Sequence, residues 1–166
     1  MSYGDDSDSV VEFDTMRGRD YPTLRQFTVF LENRIGMLLE MLRRFENTPS
    51  RIVAMNIIDS TECSIVRFVL THPEQGREIL ERAGLAMIEH DLIGVQLPPS
   101  TQPLVSVCAA LLHAEVNLIQ TYPLLVRPEG ENTVVALMVD NVELGQRTLI
   151  CEGFELVTEN DLLDMI

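Results

Sequence analysis

Apolar and polar residues alternate along residues 26–31, Gln26-Phe27-Thr28-Val29-Phe30-Leu31, the two-residue period of a strand with one buried face. Glu32-Asn33-Arg34-Ile35-Gly36 breaks that period. Leu38, Met41, Leu42 and Phe45 then recur at helical spacing, and Pro49 forbids continuation of the helix. Residues 52–58 and 64–70 read as two strands joined by the turn formers Asp59-Ser60-Thr61-Glu62. Pro73 opens a second helix, for which Gly84 supplies a left-handed cap, and residues 85–89 form a last strand.

The same order recurs. Residues 93–97 read as a strand, 103–114 as a helix, 116–126 and 133–139 as strands, 142–152 as a helix and 154–157 as a strand; a short terminal helix occupies 159–166. Gly76, Leu80 and Gly84 reappear sixty-nine positions later as Gly145, Leu149 and Gly153. Residues 64–70 overlie 133–139 at that offset, while Leu38, Met41, Leu42 and Phe45 overlie Leu104, Val107, Cys108 and Leu111 at sixty-six. Duplication of a strand-helix-strand-strand-helix-strand unit predicts an α+β fold. It consists of two ferredoxin-like β-α-β-β-α-β units in tandem, residues 25–91 and 92–166, each an antiparallel sheet with helices on one face. Only His90-Asp91-Leu92 is expected to link them. Gly76 and Gly145, inside helices, predict close packing there, and Pro123 marks an edge strand. Small units with open sheet edges predict a homodimer.

Charge narrows the partners. The chain of 166 residues carries 26 acidic and 12 basic residues, a net charge of −14, and every basic residue is arginine. Schiff-base and phosphate-loop lysines are therefore excluded, and an acidic surface without a basic stripe argues against nucleic acid and anionic membranes. Residues 1–22 are polar and acidic, read as a flexible tail in which Val10, Val11 and Phe13 are the residues able to dock on the body. No apolar run has the length of a membrane span and no leader pattern is visible, so a cytoplasmic location is expected. Cys63, Cys108 and Cys151 lie far apart, and no histidine or cysteine pairs at ligand spacing, so no metal or cofactor is expected. Cys108 falls in an apolar helical stripe and reads as core, as do Met37, Met41, Met55, Met87 and Met138.

Chemistry is concentrated in the first strand-to-helix turn. Gly36 at a helix start suits close backbone approach to a carboxylate, and Asn33 offers a donor and an acceptor to an α-amino acid. Asn33-Arg34-Ile35-Gly36-Met37-Leu38, set after an alternating strand, resembles the ACT domain family of amino-acid-sensing regulatory modules. The family turn is Asn-(Lys/Arg)-Pro-Gly followed by a small or apolar residue and leucine; Ile35 replaces the proline here. Ala83-Gly84-Leu85, Glu152-Gly153-Phe154 and Val116-Asn117-Leu118 are also similar to the family's strand entries. The resemblance extends over residues 25–166, and within the family the acetolactate synthase small subunit is the nearest comparison.

That resemblance implies a non-catalytic regulatory protein without a cofactor. Its first site would comprise Asn33 to Leu38 together with Met55, Asn56 and Ile57 from a neighbouring unit's edge strand, and would take a small apolar amino acid. An enzyme of amino-acid metabolism would be the regulated partner. The second turn reads Thr101-Gln102-Pro103-Leu104: a side chain stands in place of the glycine and proline removes an amide donor, so this site is expected to be degenerate. A ligand-free ACT-derived interaction scaffold and a small enzyme of another type are the alternative readings.

Overall fold

The computed structural model describes residues 23–126 and 132–166; the acidic segment 1–22 lies outside the described residues. The first unit comprises β1 (Leu24–Glu32), α1 (Met37–Arg43), β2 (Ile52–Asp59), β3 (Cys63–Leu70) and α2 (Pro73–Arg82). Then follow β4 (Met87–Gln96), α3 (Pro103–His113), β5 (Leu118–Pro123), β6 (Val134–Val139), α4 (Val142–Cys151), β7 (Glu155–Val157) and α5 (Glu159–Asp164). The strands lie in the order β2-β3-β1-β4-β6-β5, with β7 also paired to β4, and every pairing is antiparallel.

β4 belongs to both units. Its first part, Met87 to Leu92, pairs with β1; its last part, Ile93 to Gln96, pairs with β6, and Gly94 to Gln96 pair with β7. The two expected strands at 85–89 and 93–97 are thus one, and His90-Asp91-Leu92 is strand rather than link. No glycine or proline stands between them to force a turn, and the backbone stays extended through His90, Asp91 and Leu92.

Helices α1 to α4 pack on one side of this sheet. Phe27, Val29, Leu31, Val66, Phe68 and Leu70 meet Met41, Phe45 and Leu80, with the Phe68 ring 5.9 Å from both Phe27 and Phe45. In the second unit Ile93, Val95, Val135, Leu137 and Val139 meet Val107, Ala110, Leu111 and Leu149. The repeated Gly-Leu-Gly spacing has a physical meaning in this arrangement. Leu80 and Leu149 are wholly buried. A Cβ on Gly76 would strike Leu70 Cδ1 and one on Gly145 would stand 2.9 Å from Ile93 Cδ1, so both helices press closely on the sheet. Gly84 and Gly153 close the helices at φ +67° and +87°.

On the other side the sheet curls onto itself. Leu24, Val53, Ala54, Val69 and Leu92 of the first unit share a core with Tyr122, Leu124, Val126, Val134, Ala136, Val157 and Leu162 of the second. The Leu125 amide donates to Val53 O, so the outer edges of both units meet within one chain. Tyr122 Oη donates across the same core to Gln26 Oε1 at 2.6 Å. Pro123 ends β5, which pairs with β6 alone, in agreement with an edge position.

Two expectations about the core are corrected. Cys108 and Leu104 are exposed, because α3 turns Val107, Ala110 and Leu111 inward and carries the other two at its outer surface. Met55 is also exposed, since β2 lies at the sheet's edge, beyond the helices' cover; Met41 is buried, and Met37, Met87 and Met138 are partly so.

Gly94 marks the tightest point of the fold. A Cβ there would stand 2.6 Å from Val157 O and 2.7 Å from Leu24 Cδ1. The carbonyl belongs to the backbone of a paired strand, so relief requires moving β7. Gly94→Ala is expected to lower stability by about 1–3 kcal/mol in chemical denaturation. An unchanged denaturation midpoint would show that β7 can shift at no cost.

Candidate functional site

The first strand-to-helix turn is ordered by its own backbone. The Arg34 amide donates to Glu32 O (2.7 Å), the Met37 amide to Arg34 O (3.2 Å), and the Glu40 amide to Gly36 O (2.9 Å) to begin α1. Gly36 sits at φ +91°, ψ −14°, a left-handed conformation that costs a residue with a Cβ about 1–2 kcal/mol. A Cβ on Gly36 would meet nothing within 4 Å. The glycine is therefore explained by backbone conformation rather than by crowding, and the space over it is open.

Asn33 Nδ2 donates to Ser60 O (3.1 Å), which ties the turn to the β2–β3 hairpin. Asn33 Oδ1 remains as an acceptor. Arg34 Nη2 donates to Met37 Sδ (2.9 Å), folding the guanidinium back over the helix start. Ile35 is completely exposed, an apolar side chain at the apex of the turn. Met37 and Leu38 are half-buried against the core of the first unit.

Met55, Asn56 and Ile57 are not gathered at this turn within the chain. β3 stands between β1 and β2, and the three residues divide between two faces of the sheet. Met55 and Ile57 lie opposite Phe68 and Val66 on the helix side; Asn56 lies opposite Arg67 on the other. Period-two geometry requires this split, since consecutive residues of a strand cannot face one ligand together.

The second turn has a different backbone. Gln102 caps α3 at φ −137°, ψ 62°, and its side chain makes no cap bond. The Ser106 amide donates to Gln102 O (3.3 Å), and Pro103 occupies the first helical turn. Thr101, Gln102 and Leu104 are exposed. The left-handed residue of the first turn is absent here, so the second turn differs in path as well as in side chains.

A charged cluster that no local spacing in the sequence signals lies at the other end of the sheet. Arg25, buried on β1, contacts Glu74 of α2 (2.7 Å), Glu89 of β4 (3.6 Å) and Glu159 of α5 (3.7 Å). Arg77 of α2 also binds Glu89, through Nε and Nη2. Thr23 Oγ1 donates to Asp91 (3.0 Å) beside this group. These contacts fasten the terminal helix of the second unit to the first. Burial raises the Glu159 carboxyl above its ordinary 4.5, against the opposing pull of Arg25. Among the described residues no group of three or more histidine, cysteine, aspartate or glutamate side chains could hold a metal ion.

A family model for the ACT domain pair matches residues 22–166. A solved protein from Bacteroides thetaiotaomicron is similar in structure, with a TM-score of 0.76, 21% identity, and coverage of 84% of this chain and 95% of that one. The ligand-free regulatory subunit of aspartate kinase from Thermus thermophilus gives a TM-score of 0.53 at 10% identity, over 78% and 91% of the two chains. A structure of aspartokinase alpha and beta subunits gives 0.51 at 14% identity, over 76% and 90%. At these identities the likeness extends to the fold. No curated protein matches the chain in sequence. No helix among the described residues is long and apolar enough to cross a membrane.

The buried carboxyl gives a signed pH dependence. Because its folded pKa is raised, Glu159 contributes stability below about the ordinary carboxylate value, and that contribution is lost as pH rises through the folded pKa. Glu159→Gln is expected to flatten this loss, so the variant gains on wild type as pH rises from acid to neutral in parallel denaturation series. Parallel curves for the two proteins would show that Glu159 titrates normally.

Proposed function

The chain belongs to the ACT domain pair family, and on that premise we propose that it is a non-catalytic regulatory protein that senses a small apolar amino acid. The observation that supports this most is the difference between its two turns. The first combines left-handed Gly36 with the anchored Asn33, and the space over Gly36 is open. The second has neither feature. In this reading the ligand carboxylate meets the backbone at Gly36 to Leu38, the α-amino group donates to Asn33 Oδ1, and the side chain rests on apolar surface. Met55 and Ile57, exposed on an edge strand, would supply that surface from a second copy.

The proposed assembly is a homodimer. β2 pairs only with β3 and, through Val53, with Leu125, so its further length can accept a neighbour. α3 adds exposed Leu104, Val105 and Leu112. The regulated partner is proposed to be an enzyme of amino-acid metabolism in the cytoplasm, with acetolactate synthase the first to test. Aspartate kinase is the second, because regulatory subunits of that enzyme share the fold. A ligand-free interaction scaffold is the competing reading, and the use of Asn33 Nδ2 on Ser60 favours it.

Calorimetry with leucine, isoleucine and valine at millimolar concentration tests the sensing role. Binding is expected in wild type, with Asn33→Ala weakening it about tenfold through loss of one hydrogen bond to a charged group. Gln102→Ala should leave it unchanged. No heat for any amino acid would transfer the assignment to the scaffold reading. Sedimentation gives an independent check on assembly: the expected mass is twice the 18.7 kDa chain, and a stable monomer at micromolar concentration removes the dimer.

A further inference from the structure

The side of the first sheet away from the helices has a regular grid set by strand register. Leu92 and Leu24 form its inner row, His90, Gln26, Val69 and Ala54 the next, and Ile88, Thr28, Arg67 and Asn56 the third. Phe30, Ile65 and Ile58 make the outer row. The curl of the sheet covers most of the inner two rows and also Thr28 of the third, which accepts from Gln26 Nε2 (3.4 Å); it leaves the rest of the third row and the outer row open. Thus Gln26, Val69 and Ala54 are buried, whereas Phe30, Ile58 and Ile88 are 37%, 44% and 49% exposed.

Arg67 stands in the middle of this open face. It is half-buried, and among the described residues it has no carboxylate partner. The other arginines with substantial burial, Arg25 and Arg77, are both held by glutamates; the remaining described arginines without an ion pair, Arg34, Arg44, Arg51 and Arg147, are exposed. In a chain with 26 acidic residues, leaving a half-buried cation unpaired is an electrostatic cost that an incoming anion would offset. The neighbours suit such an anion. Asn56 and Thr28 flank Arg67 in its row, and Tyr122 lies near enough for the arginine's charge to oppose the rise that burial gives its hydroxyl pKa. One row inward, His90 Nδ1 is buried without a hydrogen-bond partner.

We infer that this open face is a second anion site, which takes a carboxylate borne on a short branched aliphatic chain. The carboxylate would pair with Arg67 and the chain would lie over Ile65, Phe30 and Ile88. Four strands at a spacing of about 4.8 Å span only about 14 Å, which suits a small molecule. Two rows about 7 Å deep across that width cover on the order of 100 Å², far short of the roughly 800 Å² per partner of a stable protein interface. A second copy is disfavoured for a further reason, since a twofold contact here would bring two Arg67 side chains together. The site is separate from the turn at Asn33 to Leu38 and does not depend on the amino-acid reading of that turn.

The test uses the full chain with labelled isoleucine methyl groups, titrated with 4-methylpentanoate and with its uncharged isostere 4-methylpentanamide. The acid is expected to shift Ile65 and Ile88 saturably at millimolar concentration, and the amide to leave them in place. Arg67→Gln should weaken the response about tenfold, the loss of one charge-assisted pair, while Arg67→Lys keeps part of it. Asn33→Ala should leave the response intact, so failure here and failure at the first turn are read separately. Equal response to acid and amide, no response to the acid, or an undiminished response in Arg67→Gln with a native methyl spectrum would each overturn the proposal.

Discussion

The whole arrangement depends on one strand serving two sheets. β4 must offer hydrogen bonds to β1 along its first part and to β6 and β7 along its last. The change of partners falls within two residues of Gly94, where Val157 O and Leu24 leave no room for a side chain. A flexible connection would let two small units separate. A shared strand instead fixes their relative placement through the backbone, without an ordering cost for a linker. The inner core and the Leu125–Val53 bond then close the curl at its far side.

Duplication explains the scaffold, and divergence explains how the two strand-to-helix turns differ. The second helices of both units retain an inward glycine, a buried leucine and a left-handed cap, because each feature answers to packing on the sheet. The first helices answer to less. α1 begins from a left-handed Gly36, whereas α3 begins from an extended Gln102 followed by proline. A turn held by its own backbone and one exposed side-chain bond to a hairpin can change course without disturbing the core, so the units keep a common fold while only one keeps the family turn.

Electrostatics divides the molecule in a similar way. At one end Arg25 and Arg77 gather Glu74, Glu89 and Glu159 from α2, β4 and α5 into a single cluster. The Arg25 contacts with Glu89 and Glu159 are ion contacts at 3.6 and 3.7 Å, and burial rather than Arg25 dominates the Glu159 shift. The cluster therefore specifies where α5 docks more than it adds net stability. On the open face of the same sheet, Arg67 keeps its charge with no such carboxylate among the described residues.

The units, their order and nearly all their elements are legible in the sequence, because helical and strand periods are local and are written twice. Left-handed Gly84, closely packed Gly76 and Gly145, and edge-marking Pro123 were legible for the same reason: each is a requirement of one residue's own backbone or volume. The tertiary structure alone decided what depends on register and curl. It merged two strands into β4, turned Cys108 and Leu104 outward, separated Asn56 from Met55 and Ile57, and brought Tyr122 to Gln26 across ninety-six positions. These are long-range consequences of which strand lies beside which, and no local period carries that information.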